Sequence, residues 1–198
     1  VSDITAGILG ALGCAAAYAR KLQTGEGQKV DTSLFEAGIT HTYWQSAIAF
    51  ATGASPGPLG SAHPLNAPYQ AFQTADGWIN LGAANQKNWE RMLAVIGAEE
   101  LASDPRFANN HGRMQNLAAL EEILNGHFSQ RSSAEWLAQL EAAGVPAGPI
   151  NDYAQVMASD HVAARNMVMK VEHPVEGEIN TLGFPVKLSG TPQEVRYP

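Results

Sequence analysis

Tyr69-Gln70-Ala71-Phe72-Gln73-Thr74-Ala75-Asp76-Gly77-Trp78-Ile79-Asn80-Leu81 divides the chain into two differently built parts. Two short apolar and aromatic runs flank Asp76-Gly77, a dipeptide suited to the positive backbone angles of a tight turn, so the spacing predicts a hairpin with strands over 69–74 and 78–81. Immediately before it, residues 53–68 are mostly Gly, Pro, Ser and Ala, with Pro56, Pro58, Pro64 and Pro68. Proline fixes φ and removes a backbone donor, so neither helix nor strand survives there. The segment reads as a linker or functional loop, and the hairpin opens a second domain.

Working back toward the N-terminus, Ser2 and Asp3 stand where an N-cap belongs, ahead of apolar positions Ile4, Ile8, Leu12, Ala15, Ala19 and Leu22, and Thr24-Gly25-Glu26-Gly27 supplies the stop. The other face of this helix is Gly7, Gly10, Ala11, Cys14 and Ala17. Each glycine costs about 1 kcal/mol of helix propensity, which close packing by another segment must offset. The helix is therefore expected to be buried. Gln28 to Leu34 alternates like a strand, and Phe35 to Thr52 reads as a second helix carrying Tyr43, Trp44, Ile48 and Phe50.

Toward the C-terminus, helical patterns cover 86–96, 117–128 and 133–143, the last capped by Ser132 or Ser133 and stopped by Gly144. Val145 to Ile150 carries Pro146, Gly148 and Pro149 and reads as an extended edge segment. Short helices near 154–158 and 161–166, then strands over 167–172 and 178–182, complete the pattern. Trp78, Trp89, Trp136 and Phe128 fall at positions expected to be core. The fold class is mixed α/β.

The 198 residues are 45% hydrophobic and 16% charged, enough for an ordinary core, so disorder is excluded. A formal charge of -7 argues against a surface that tracks nucleic-acid phosphates or adsorbs to a membrane. The one cysteine, Cys14, excludes an internal disulfide framework and a cysteine-rich zinc site, and a reducing compartment is the natural reading. The apolar stretch 4–19 is broken by three glycines and falls short of the ~20 residues of a membrane span. A chain opening at Val1 and stopping at Arg196-Tyr197-Pro198, with no closing helix, reads as part of a longer protein.

Asp3 is the first candidate for chemistry, because a carboxylate at a helix start meets free N–H groups and the positive end of the dipole. The competing reading is an ordinary cap. His63 lies on the loop Gly60-Ser61-Ala62-His63-Pro64, where an imidazole can face a cleft or simply sit on the surface. His41, near Trp44, reads as half-buried packing. No His, Cys or carboxylate pair has metal-ligand spacing, and Glu99-Glu100 and Glu121-Glu122 are adjacent and diverge on a helix. Gly25-x-Gly27 lacks the remainder of a dinucleotide fingerprint.

Several motifs nonetheless occur together in order: Val1-Ser2-Asp3-Ile4-Thr5-Ala6-Gly7, Lys21-x-x-Thr24-Gly25-Glu26-Gly27-Gln28-Lys29-Val30-Asp31-Thr32-Ser33-Leu34, Gly60-Ser61-Ala62-His63-Pro64, Ala67-Pro68-Tyr69-Gln70-Ala71-Phe72 and Gly144-Val145-Pro146-Ala147-Gly148-Pro149-Ile150. Together they resemble the family III CoA-transferases, which include formyl-CoA and carnitine CoA-transferases and α-methylacyl-CoA racemases. The resemblance is nearest to members that move CoA between succinyl-CoA and other dicarboxylates. It implies that Asp3 is a nucleophile forming an aspartyl-CoA thioester, with Gly60, His63 and Tyr69 binding substrate or CoA. No metal and no permanently bound cofactor is implied; a coenzyme A thioester is substrate. The implied partners are acyl-CoA and carboxylate substrates and, in the full-length form, a second copy in an interlocked homodimer, with neither nucleic acid nor membrane. The compartment implied is the cytoplasm, or the mitochondrial matrix in a eukaryote.

The resemblance also implies an organisation. Residues 1–52 would be the catalytic helix and a strand–helix portion of a Rossmann-like large domain, 53–68 a Gly/Pro linker, 69–150 a small α+β domain and 151–198 a return linker. Such a fragment would be inactive alone. Two other functions stay open: a noncatalytic assembly or binding module, and an acyl-CoA racemase. The racemases resemble Gly-Ala-x-Glu where this chain has Gly82-Ala83-Ala84-Asn85, and an asparagine cannot relay a proton as a carboxylate does.

Overall fold

In the computed structural model, which describes residues 1–195, helix α1 spans Ser2–Thr24 and ends at Gly25 in the left-handed conformation (φ 79°), whose N–H bonds the Lys21 carbonyl. Its N-cap is Val1, so Ser2 and Asp3, expected as the cap, both lie inside the first turn. A Cβ on Gly38 would come within 3.1 Å of the Ser2 hydroxyl, so Ser2 packs on the next helix instead of folding back over its own helix start. The small face of α1 does receive a close neighbour: a Cβ on Gly13 would meet Val30 Cγ1 at 2.7 Å, and one on Gly10 would meet Thr32 at 3.8 Å.

Three expectations for this part need correction. Residues 26–33 form no strand, because they lie along α1 and no strand pairs with them among the described residues. The second helix is two, α2 (Leu34–Thr40) and α3 (Tyr43–Thr52). At the break, the N–H groups of His41 and Thr42 bond the carbonyls of Gly38 and Ile39 three residues back, and the Thr42 hydroxyl also donates to Ile39 O, which ends the α-type ladder. Ser33 starts α2 by accepting the Glu36 N–H. Finally, α1 is exposed; of its residues only Ala17 is buried, and Ile4 and Leu12 are each more than three-fifths exposed. Its 23 residues are long and apolar enough to cross a membrane, a test that core helices also pass.

Backbone contacts divide the chain into one unit of Val1–Leu65 and a second from Asn66 onward. In the second, β1 (Tyr69–Gln73) and β2 (Trp78–Gly82) form the expected hairpin, with Ala71 opposite Asn80. Strand β3 (Ala147–Pro149) pairs antiparallel with the free side of β2, Gly148 opposite Asn80, and gives the three-stranded order β1-β2-β3. As an edge strand of this sheet, β3 tolerates a proline.

The sheet buries one face. Phe72, Ile79 and Leu81 meet Trp89, Met92 and Leu93 of α4 (Gln86–Ile96), Leu120, Leu124 and Phe128 of α6 (Leu117–Phe128), and Trp136 and Leu140 of α7 (Ser133–Ala142). The Phe128 ring stands 5.4 Å from both Phe72 and Trp136, and the Trp136 indole N–H donates to the Phe128 carbonyl at 2.7 Å. Trp78, expected as core, is 47% exposed: with Ile79 and Leu81 inward, strand alternation turns it to the other face. Two elements have no counterpart in the sequence reading, a 3₁₀ turn at Glu99–Ala102 and helix α5 (Asn110–Gln115) capped by Asn109.

The hairpin turn also differs. Gly77 does not take a positive φ; the connection is four residues, 74–77, closed by Thr74 N–H to Gly77 O at 2.9 Å. Asp76 instead acts through its carboxylate, which accepts the Ser133 N–H at 2.7 Å and the Thr74 hydroxyl at 3.2 Å, anchoring the turn to the start of α7. The Ser133 bonds hold Asp76 below the usual carboxylate range, and the Ser132 bonds of the α7 capping box do the same for Glu135. Because both folded-state values are depressed, their contribution is complete above the ordinary carboxylate range and is lost as pH falls through it to the folded values. Urea midpoints should fall below about pH 5, and Asp76→Asn should flatten that slope. An unchanged slope would deny the turn this role.

Beyond the sheet, α8 (Tyr153–Met157) and α9 (Asp160–Ala164) precede a second hairpin, β4 (Val168–His173) with β5 (Gly177–Leu182). These match the expected tail. The reading of Arg196-Tyr197-Pro198 falls outside the described residues.

Candidate functional site

Asp3 is exposed in the first turn of α1. The first intrahelical bond is Thr5 N–H to Val1 O at 3.0 Å, so the amides of Ser2, Asp3 and Ile4 precede the ladder, and Val1 offers them no side-chain cap. The Thr5 hydroxyl hydrogen-bonds His41 Nε2 at 2.9 Å. His41 is thus an exposed residue at the end of α2 that reaches the Asp3 turn, not the half-buried packing residue expected. Nothing in the sequence signals a contact 36 positions apart.

Gly60 sits at φ 61° in a turn where Ala62 N–H bonds Leu59 O, a conformation that favours glycine. His63 is half-buried, edge-on to Trp44 with centroids 5.4 Å apart, and its Nδ1 accepts the Leu65 N–H at 3.1 Å. That bond puts the proton of the neutral ring on Nε2, a donor. Asp3, Gly60 and His63 belong to the first unit and Tyr69 to the second.

Tyr69 lines a cavity of about 630 Å³ with Asn66, Asn80, Asn85, Asn88 and the 146–149 segment. No lining residue carries a charge. Four amides and a phenol supply its polarity, and amide N–H groups can bind a carboxylate without bringing a competing cation. The Asn85 side-chain oxygen accepts the Asn88 N–H at 2.8 Å and caps α4, so that oxygen is committed to the backbone. That cap was legible as an asparagine ahead of a helical pattern; the cavity was not, because Asn66, Asn80 and Asn88 are unremarkable alone.

Beside the cavity lies Arg113 of α5, 1% exposed. Its guanidinium donates to the carbonyls of Ala67 (2.7 Å), Ala84 (2.8 Å) and Phe107 (3.0 Å) and to Gln86 Oε1 (3.3 Å), and it lies 4.9 Å from the centroid of the Trp89 ring. Burial pushes its pKa down from the ordinary value. Among the described residues no group of three or more His, Cys, Asp or Glu side chains is placed to hold a metal ion.

The sequence pattern of CoA-transferase family III matches residues 1–198. Among curated relatives, acetyl-CoA:oxalate CoA-transferase of Acetobacter aceti is 36% identical over 190 residues, 96% of this chain and 48% of that protein. Human succinyl-CoA:glutarate CoA-transferase is 31% identical over 189 residues, 96% of this chain and 43% of that protein. Among solved structures, a CAIB/BAIF family protein from Brucella suis is 34% identical with a TM-score of 0.78, covering 96% of this chain and 49% of that one. The chain spans about half the length of the curated relatives it matches. On the match along its whole length, the chain belongs to CoA-transferase family III.

Proposed function

We propose that this chain is part of an enzyme that transfers coenzyme A from an acyl-CoA donor to a dicarboxylic acid through an aspartyl-CoA thioester on Asp3. The observation that carries the reading is the placement of Asp3, an exposed carboxylate in the first turn of a 23-residue helix, among amides that precede the intrahelical ladder. Relatives named for oxalate and glutarate transfer support the acceptor class.

The steps balance without an acid or a base. The Asp3 carboxylate attacks the thioester carbonyl, the C–S bond breaks, and a mixed anhydride and CoA thiolate form. The thiolate attacks the Asp3 carbonyl, releasing the donor carboxylate and leaving aspartyl-CoA. An acceptor carboxylate repeats the exchange in reverse, giving the new acyl-CoA and free Asp3. No proton moves in any of these steps. What the steps require is oxyanion stabilisation and close placement, the roles we assign to the amides at the start of α1 and to the Gly60–His63 loop. The amide-lined cavity at Tyr69 offers donors to the acceptor's carboxylate. Asn85 is an amide, which does not relay a proton as a carboxylate does, and this disfavours the racemase alternative.

In this reading α1 is the catalytic helix of a Rossmann-like large domain, 53–68 the linker, 69–150 the small domain and 151–198 the return linker. The full-length enzyme is a homodimer, and the apolar side chains exposed on α1 are surface for the remaining parts to cover. The exposed Cys14 fits a reducing compartment, the cytoplasm or the mitochondrial matrix.

The test is to incubate the protein from its complete reading frame with succinyl-CoA, quench with hydroxylamine and analyse the peptide containing Asp3 by mass spectrometry. Conversion of Asp3 to the hydroxamate is expected. An unmodified Asp3 in a sample that has consumed succinyl-CoA would sink the mechanism.

A further inference from the structure

We propose that Arg113 is a positioning residue that sets the walls of the amide-lined cavity, a proposal that rests on reading that cavity as the acceptor site. Its partners are the reason. A buried cation is usually matched to a carboxylate, yet Arg113 uses its donors on three main-chain carbonyls and one amide oxygen. Two of those carbonyls belong to segments that line the cavity, and Ala84 is itself a lining residue. Ala67 stands between Asn66 and Tyr69, and Ala84 between Gly82 and Asn85.

The same two segments are joined directly by Ala83 N–H to Pro68 O at 2.9 Å, and the Ala67 N–H is held by Asn110 Oδ1, one turn before Arg113 on α5. Ala67 is thus held at both its N–H and its carbonyl by one helix. The planar guanidinium fixes the separation of the two segments because its donors diverge at set angles, a geometry that an ammonium does not reproduce. Sub-ångström displacement of such a wall moves every amide that would meet the acceptor. Arg113 acts on the wall through the main-chain carbonyls of Ala67 and Ala84.

The test compares the full-length enzyme with Arg113→Lys. In the variant, hydrogen exchange should accelerate about tenfold in 66–73 and 82–88 while α6 is unchanged. The KM for glutarate should rise about tenfold or more, with the KM for succinyl-CoA within about twofold of its starting value. Exchange that rises uniformly through the second unit, or a glutarate KM that stays constant, would overturn the proposal, since a purely structural role lowers the amount of folded enzyme without altering its KM. If Arg113→Lys does not fold, Asn110→Ala, which releases the Ala67 amide without burying an unpaired charge, is read in the same way. An enzyme that transfers no CoA at all defeats the functional reading instead. In that case local loosening confined to 66–73 and 82–88 still sustains the role of Arg113, and its absence removes it.

Discussion

Replacing Asp3 by asparagine is expected to lower CoA transfer by about 10⁴-fold or more, the scale on which loss of a covalent nucleophile is felt. The amide side chain keeps the shape and loses the attacking oxygen, so neither the mixed anhydride nor the aspartyl thioester of the proposed mechanism could form. Folding should barely change: Asp3 is exposed, is not the N-cap and accepts no bond that closes the helix, so its replacement should alter stability by no more than about 0.5 kcal/mol. Activity and urea midpoint measured on the same preparation separate the two effects. A folded variant that retains turnover would remove Asp3 from the mechanism.

The largest expected loss of stability comes from Phe128→Ala. Phe128 is fully buried, with its ring between those of Phe72 and Trp136, so it ties the last turn of α6 to both β1 and α7. Truncating a buried phenylalanine costs about 3–5 kcal/mol, a large share of the 5–15 kcal/mol that holds an ordinary domain together. The melting temperature of the second unit should fall by roughly 10 °C or more. Val175→Ala, at an exposed position in the β4–β5 turn, is the comparison and should change stability by less than about 0.5 kcal/mol. The Trp136 bond to the Phe128 carbonyl survives, since that oxygen belongs to the backbone.

The second unit was readable from its sequence because its elements are held by local signals and by their own core. Helices α4 and α6 run where periodicity places them, Gly144 stops the α7 segment at φ 67°, and the proline-rich 145–150 segment supplies an edge strand. The first unit was less readable for a physical reason. A strand is defined by its neighbour, and 28–34 has alternation without a described partner; a helix is buried by what packs on it, and α1, which meets α2 and the Val30 segment, stays mostly exposed. Of the candidate site, Asp3 is legible as a carboxylate at a helix start. Arg113 is not, because three of its four hydrogen-bond partners are main-chain oxygens, which every residue owns and no sequence pattern advertises.

That choice of partners has a practical side. Arg113 holds Ala67 and Ala84 by atoms common to all twenty amino acids, so the clamp is indifferent to the side chains that Asn66, Asn80 and Asn88 present on the far side of the wall. Frame and lining are separable. If the proposed acceptor site and the proposed role of Arg113 hold, substitutions at those three asparagines would change which acids the cavity admits while the clamp goes on setting its width, and this small unit would be a scaffold for retuning acceptor choice.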